Sequence, residues 1–162
     1  MKITAVSSKL TDILSKRHRI TNDPYLVGVS GGQGSGKSTL CSHLSRIFID
    51  GKIPHAILSL DDFYFSKAKR KNLGNNIHPL AATRGVPGTH DVMLLKRVLR
   101  DLQISGRNTA IKIPIFSKTD DDLLPKKIWK TYNSRPHFII LEGWCVGARS
   151  SFISTRPQTP WE

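Results

Sequence analysis

Apolar positions along the chain fall into two periods that alternate from one segment to the next. Ile3, Val6, Leu10, Ile13 and Leu14 recur at helical spacing. That spacing predicts a leading helix within residues 1–22, ended where Asn22, Asp23 and Pro24 break the chain. Residues 25–30 (YLVGVS) then read as a buried strand, residues 40–49 as a helix ending near Gly51, and residues 55–60 (HAILSL) as a second strand. A polar, basic stretch follows to about His90, punctuated by Gly74, Pro79, Gly85, Pro87 and Gly88, and it reads as a long substrate loop or lid over residues 66–90. Asp91 caps an amphipathic helix with Val92, Leu95, Val98, Leu99 and Leu102 on one face, stopped by Gly106. Residues 110–114 suggest a short strand and residues 115–136 an irregular segment. Residues 138–141 (FIIL) form a last buried strand ending at Glu142 and Gly143.

Strands alternating with helices specify an α/β fold with a mostly parallel sheet flanked by helices. In such sheets ligands bind at the carboxyl ends of the strands. Three carboxylates fall at such ends: Asp61 and Asp62 after the second strand, and Glu142 after the last. Residues 1–147 read as one domain, and residues 148–162, with Pro157 and Pro160 and no periodicity, as an irregular tail.

With 162 residues and 38% hydrophobic content, the chain has enough apolar surface for one genuine core. No apolar run nears the roughly 20 residues of a membrane span and no secretory leader is visible, so a soluble, cytoplasmic protein is expected. Two cysteines, Cys41 and Cys145, argue against a disulfide framework. The net charge is +13, from 25 Lys and Arg against 12 Asp and Glu. That balance attracts anions. The absence of a helix-turn-helix signature, and of aromatic residues interleaved with the basic ones, argues against specific nucleic-acid binding, while steering of phosphorylated or carboxylate substrates and a merely solvated basic surface both fit the charge.

The strongest chemical signal is Gly31-Gly-Gln-Gly-Ser-Gly-Lys-Ser-Thr39, which contains Gly-x-x-x-x-Gly-Lys-Ser between the first strand and the helix after it. Its backbone N–H groups, from Gly31, Gly32, Gln33, Gly34, Ser35 and Gly36, form an anion nest at a helix N-terminus. Lys37 places a point charge on the β- and γ-phosphates of a nucleotide, the Ser38 hydroxyl ligates the bridging Mg2+, and Thr39 is a further phosphate contact. Glu142 sits where an acid would complete the magnesium shell. Asp61 and Asp62 are neighbours, so in extended backbone only one of them faces the γ-phosphate as a base, while the other binds metal or caps the turn at Phe63 and Tyr64.

Four motifs in this order resemble the D-glycerate 3-kinase-like P-loop kinases: Gly31 to Thr39, Ser59-Leu-Asp-Asp-Phe-Tyr64, Arg84-Gly-Val-Pro-Gly-Thr-His-Asp91 and Leu141-Glu-Gly-Trp144. Uridine kinase, phosphoribulokinase and bacterial-type pantothenate kinase are related to that group. The resemblance runs roughly from Tyr25 to Gly147. It implies ATP and Mg2+ as cofactors, Asp61 as the base with Asp62 second, and an acceptor pocket lined by the Arg84 to Asp91 motif. Arg84 and His90 then hold an acceptor carboxylate or phosphate, with Lys118 facing the same pocket, while Asp91 caps the next helix. The implied reaction transfers the γ-phosphoryl group of ATP to a hydroxyl of a small acid such as D-glycerate. Pantothenate or a nucleoside are the alternative acceptors, and ATP binding without turnover is the alternative activity. One departure is Phe116-Ser-Lys118, where plant glycerate kinases have Tyr-Asp-Lys.

The resemblance also implies further strands and an arginine-bearing lid beyond Glu142, which this sequence does not supply. The expectation is therefore an exposed edge on the first strand, with reduced stability or association.

Overall fold

The computed structural model describes residues 3–21, 23–104 and 109–148. Helix α1 (Ile3–Thr21) leads into strand β1 (Tyr25–Ser30), helix α2 (Lys37–Asp50) and strand β2 (His55–Ser59). Helices α3 (Lys67–Asn76) and α4 (Val92–Ile104) follow. The short strands β3 (Ile111–Ile113), β4 (Phe116–Ser117), β5 (Asp122–Leu123) and β6 (Lys130–Tyr132) come next, and then strand β7 (Phe138–Gly143).

Strands β1, β7 and β2 form one parallel sheet in that spatial order, so the last strand inserts between the first two. Phe138, Ile139, Ile140 and Leu141 are all buried because both faces of β7 are covered. On one face Phe138 and Ile140 join Leu14 of α1 and Cys41, Leu44 and Phe48 of α2, with Phe48 stacked on Phe138 at 5.0 Å between centroids. On the other face Ile139 and Leu141 meet Leu95, Val98 and Leu102 of α4 and Ile111 and Ile113 of β3. Each such fully buried side chain contributes about 1.5–3 kcal/mol, which makes β7 the anchor of the fold.

The first strand is less buried than its apolar run predicts, and it carries the exposed edge that the family resemblance leads one to expect. Its residues alternate between half-buried and exposed, and Leu26 is 42% exposed. Among the described residues β1 hydrogen-bonds only to β7, so it is an edge strand with one face covered by the helices. An apolar run alone could not distinguish that from a central strand. Within α1, Leu14 joins the core as its spacing requires, whereas Ile13 is 49% exposed.

The stretch over residues 66–90, read from sequence as a loop, is largely ordered. Lys67–Asn76 is a helix whose N-cap Ser66 accepts a hydrogen bond from the Lys69 N–H, and Pro79–Ala82 is a 3-10 turn packed against it. A Cβ on Gly74 would lie 2.7 Å from Ala82 Cβ, so the close approach of helix and turn requires glycine there. The segment over residues 115–136 also holds more order than its sequence suggests. Strand β4 pairs with β5, and β6 pairs with β3, both antiparallel. Strands of two or three residues are too short to leave an alternating pattern.

Asp91 caps α4, its Oδ1 accepting from the Leu94 N–H at 2.8 Å. The expected stop at Gly106 and residues 149–162 of the expected tail lie outside the described residues.

Candidate active site

The carboxyl ends of β1, β2 and β7 open onto a cavity of about 660 Å³. Register explains why these ends converge. Glu142 of β7 lies level with Val29 of β1 on one side and Ser59 of β2 on the other. The segments following all three strands therefore emerge together. Gly32, Gln33, Gly34, Lys37, Ser38, Asp61, Arg84, Lys118 and Glu142 line the cavity, together with Tyr64 and Trp144.

The glycine-rich loop leaves β1 and turns through Gly34 (φ 76°) and Gly36 (φ 85°) into α2. Both residues occupy the left-handed region that glycine adopts without strain. The ammonium of Lys37 folds back over this loop and donates to the Gly32 carbonyl at 2.8 Å. Ser38 Oγ donates to Glu142 Oε1 at 3.2 Å. A hydroxyl and a carboxylate at this spacing are the hard oxygen donors that suit Mg2+, which takes one or two protein oxygens and fills its other positions with water and phosphate. No cluster of three or more His, Cys, Asp or Glu side chains with metal-binding geometry occurs among the described residues.

Asp61 and Asp62 part as expected, but on a 3-10 turn, Leu60–Phe63, rather than in extended backbone. Asp61 faces the cavity, its Oδ2 2.8 Å from Lys118 Nζ. Asp62 turns away, its Oδ1 accepting from the Phe116 N–H at 3.1 Å. Burial pushes the Asp62 carboxyl up from 3.8, opposed by that hydrogen bond and by nearby lysines. The metal role expected for Asp62 does not fit this placement, which makes it a strut holding β4 against the turn.

Arg84 lines the cavity. Its NH1 donates to the Lys118 carbonyl at 2.9 Å and pairs with Asp121 Oδ1 at 3.2 Å. His90 does not line it. Residue 90 makes an isolated antiparallel bridge to Tyr64, and its ring stacks on the Tyr64 ring at 4.1 Å. The His90 Nε2 is buried without a hydrogen-bond partner, and burial lowers the imidazole below its usual 6.5. The ring sits behind Tyr64 and is not among the residues that line the cavity, so the structure does not bring His90 to the acceptor as expected and places it in support of Tyr64.

Sequence reasoning left Tyr64, Trp144, Arg70 and Asp121 without roles. Tyr64 and Trp144 stand inside motifs noted above, and that was the available signal. Arg70 and Asp121 gave none, because their partnership spans β4, β5 and α3. Cys41, buried behind the loop, has its thiol raised to about 11, mainly by burial and then by Glu142, which makes it an inert core group.

A glycine-rich phosphate loop on a parallel sheet, facing an acid at the end of the neighbouring strand, defines a P-loop nucleotide-binding protein. Residues 26–150 match the model of the phosphoribulokinase / uridine kinase family. The chain belongs to that family. It is 34% identical over 168 residues to the uncharacterized kinase mug58 of Schizosaccharomyces pombe, an alignment covering 97% of this chain and 60% of that protein. It is 31% identical over 134 residues to the chloroplastic D-glycerate 3-kinase of Arabidopsis thaliana, covering 76% of this chain and 29% of that one. The solved structure of D-glycerate 3-kinase from Cryptococcus neoformans superposes with a TM-score of 0.73 at 28% identity, covering 88% of this chain and 52% of that one. The chain thus spans between 29% and 60% of the length of these proteins. No helix among the described residues is long and apolar enough to cross a membrane.

Proposed function

We propose that the chain is an ATP-dependent small-molecule kinase that passes the γ-phosphoryl group to a hydroxyl of a small hydroxy acid, with D-glycerate as the leading candidate. The observation that carries this reading is the meeting, in one cavity, of the phosphate loop, the Ser38 and Glu142 oxygen pair, the Asp61 carboxylate and the Arg84 and Lys118 cations. The similarity to two D-glycerate 3-kinases supports the acceptor.

Loop N–H groups and Lys37 hold the β- and γ-phosphates, with Lys37 exchanging the Gly32 carbonyl for phosphate oxygen. Ser38 and Glu142 would hold Mg2+, which when bound neutralises charge on the transferring group. Asp61 accepts the proton of the acceptor hydroxyl as that oxygen attacks the γ-phosphorus, and the bond to the bridging oxygen breaks to release ADP. Arg84 holds the acceptor's carboxylate with its planar fork of donors. Tyr64 and Trp144 wall the cavity and limit water.

The test is Mg2+-dependent ADP release by the purified chain, with D-glycerate, pantothenate and uridine added separately. Stimulation by D-glycerate supports the reading, and stimulation by either of the others reassigns the acceptor. ATP binding with no stimulation by any of them would reject turnover in favour of a nucleotide-binding module.

A further inference from the structure

We propose that Lys118 selects acceptors by charge: its ammonium masks Asp61 until the anionic group of an acceptor draws it away, so a neutral alcohol of the same shape is a poor substrate. The inference rests on the reading of Asp61 as the base. Its geometric basis is the 2.8 Å contact between Lys118 Nζ and Asp61 Oδ2 inside the cavity. With the ammonium on that oxygen, the approach of an acceptor hydroxyl to it is occupied.

The two ends of Lys118 are held differently. Its backbone carbonyl is fixed by Arg84 NH1 at 2.9 Å, whereas its side chain is 66% exposed and, among the described residues, forms an ion pair with Asp61 alone. The ammonium can therefore swing while its backbone stays beside Arg84. An acceptor carboxylate at Arg84 lies next to the root of Lys118 and offers its ammonium a replacement counter-ion. The exchange then costs little, because one charge-assisted contact is traded for another. A neutral acceptor offers none and must break the pair uncompensated. Arg84 holds the acceptor carboxylate but has no contact with Asp61 among the described residues, so it cannot itself unmask the base.

Two readouts on the full chain test the proposal, one independent of turnover. Calorimetric titration with D-glycerate in the presence of a non-hydrolysable ATP analogue gives affinities for wild type, Lys118→Met, Asp61→Asn and the double variant. Asp61→Asn is expected to tighten D-glycerate binding about threefold by releasing Lys118, Lys118→Met to weaken it about tenfold, and the Asp61→Asn gain to vanish in the Lys118→Met background. An undiminished gain in that background, or unchanged affinity in Lys118→Met, overturns the proposal. In turnover, the ratio of kcat/KM for D-glycerate over glycerol should fall at least tenfold in Lys118→Met and be largely restored in Lys118→Arg. An unchanged ratio also overturns it. A kinase inactive on every acceptor would remove the proposed function, yet the binding cycle would still decide the role of Lys118.

Discussion

Arg70 and Asp121 meet at 3.1 Å across the junction of α3 and the β4–β5 hairpin, and the arginine is completely buried. Its remaining donors reach the backbone carbonyls of Phe65, Ala82 and Asp121 itself. The same carboxylate pairs with Arg84, and both guanidinium groups lie over the Phe116 ring. Asp121 thus ties a buried structural cation to a cavity cation and fixes where Arg84 points. Residue 121 has φ 54°, a conformation that Asn also tolerates.

Asp121→Asn therefore isolates the charge from the backbone geometry. It leaves Arg70 buried with carbonyl partners only. The expected loss is about 1–3 kcal/mol, less than for a fully enclosed pair because the Asp121 side chain is 37% exposed. Urea unfolding should report it as a lower midpoint at unchanged slope, and an unchanged midpoint would remove the network from the stability of this region.

This junction also marks the limit of what the sequence discloses. The phosphate loop, its flanking elements and the end of β7 were legible because they depend on local spacing: glycines at fixed offsets, an apolar run, an acid at its end. Helix α3 was not, since Lys-Ala-Lys-Arg-Lys-Asn has no apolar stripe, and what holds it is Arg70 bonding to residues 12 and 51 positions away. His90 and Asp62 were misplaced for a related reason. A motif names residues close in sequence to a site, while a 3-10 turn and a two-residue bridge decide which of them face it.

Lys37→Ala removes the ammonium lying over the phosphate loop. ATP affinity should fall at least tenfold, a typical consequence of losing a charge-assisted contact of about 1.5–3 kcal/mol. Calorimetric titration with Mg-ATP measures it. Because Lys37 spends its charge on a loop carbonyl and not on the core, the unfolding midpoint should move little.

Asp61→Asn keeps the shape of the side chain and removes its capacity to take a proton. ATP binding should persist while acceptor-stimulated kcat drops by about 10²–10⁴. Full turnover in this variant would exclude Asp61 as the base.

Glu142→Gln keeps an oxygen within reach of Ser38 Oγ but removes the negative charge at the end of β7. The Mg2+ concentration for half-maximal activity should rise about tenfold, with a smaller change at saturating Mg2+.

The buried His90 makes stability depend on pH with a definite sign. Its imidazole is lowered from 6.5 by burial, only partly offset by the Asp61 charge. The folded state therefore disfavours the protonated ring, and the corresponding stability is fully present above pH 6.5 and lost as pH falls through the lower folded value. His90→Phe preserves a ring against Tyr64 and removes the titration, so unfolding midpoints compared between pH 7.5 and 5 should fall more steeply in wild type than in the variant. Asp62 acts in the opposite sense. Its carboxyl is raised from 3.8, so its contribution is complete below that value and shrinks as pH rises through the folded one. In the double variant His90→Phe, Asp62→Asn both slopes should disappear, whereas an acid-side loss that persists in His90→Phe alone would assign the pH dependence to a group other than this ring.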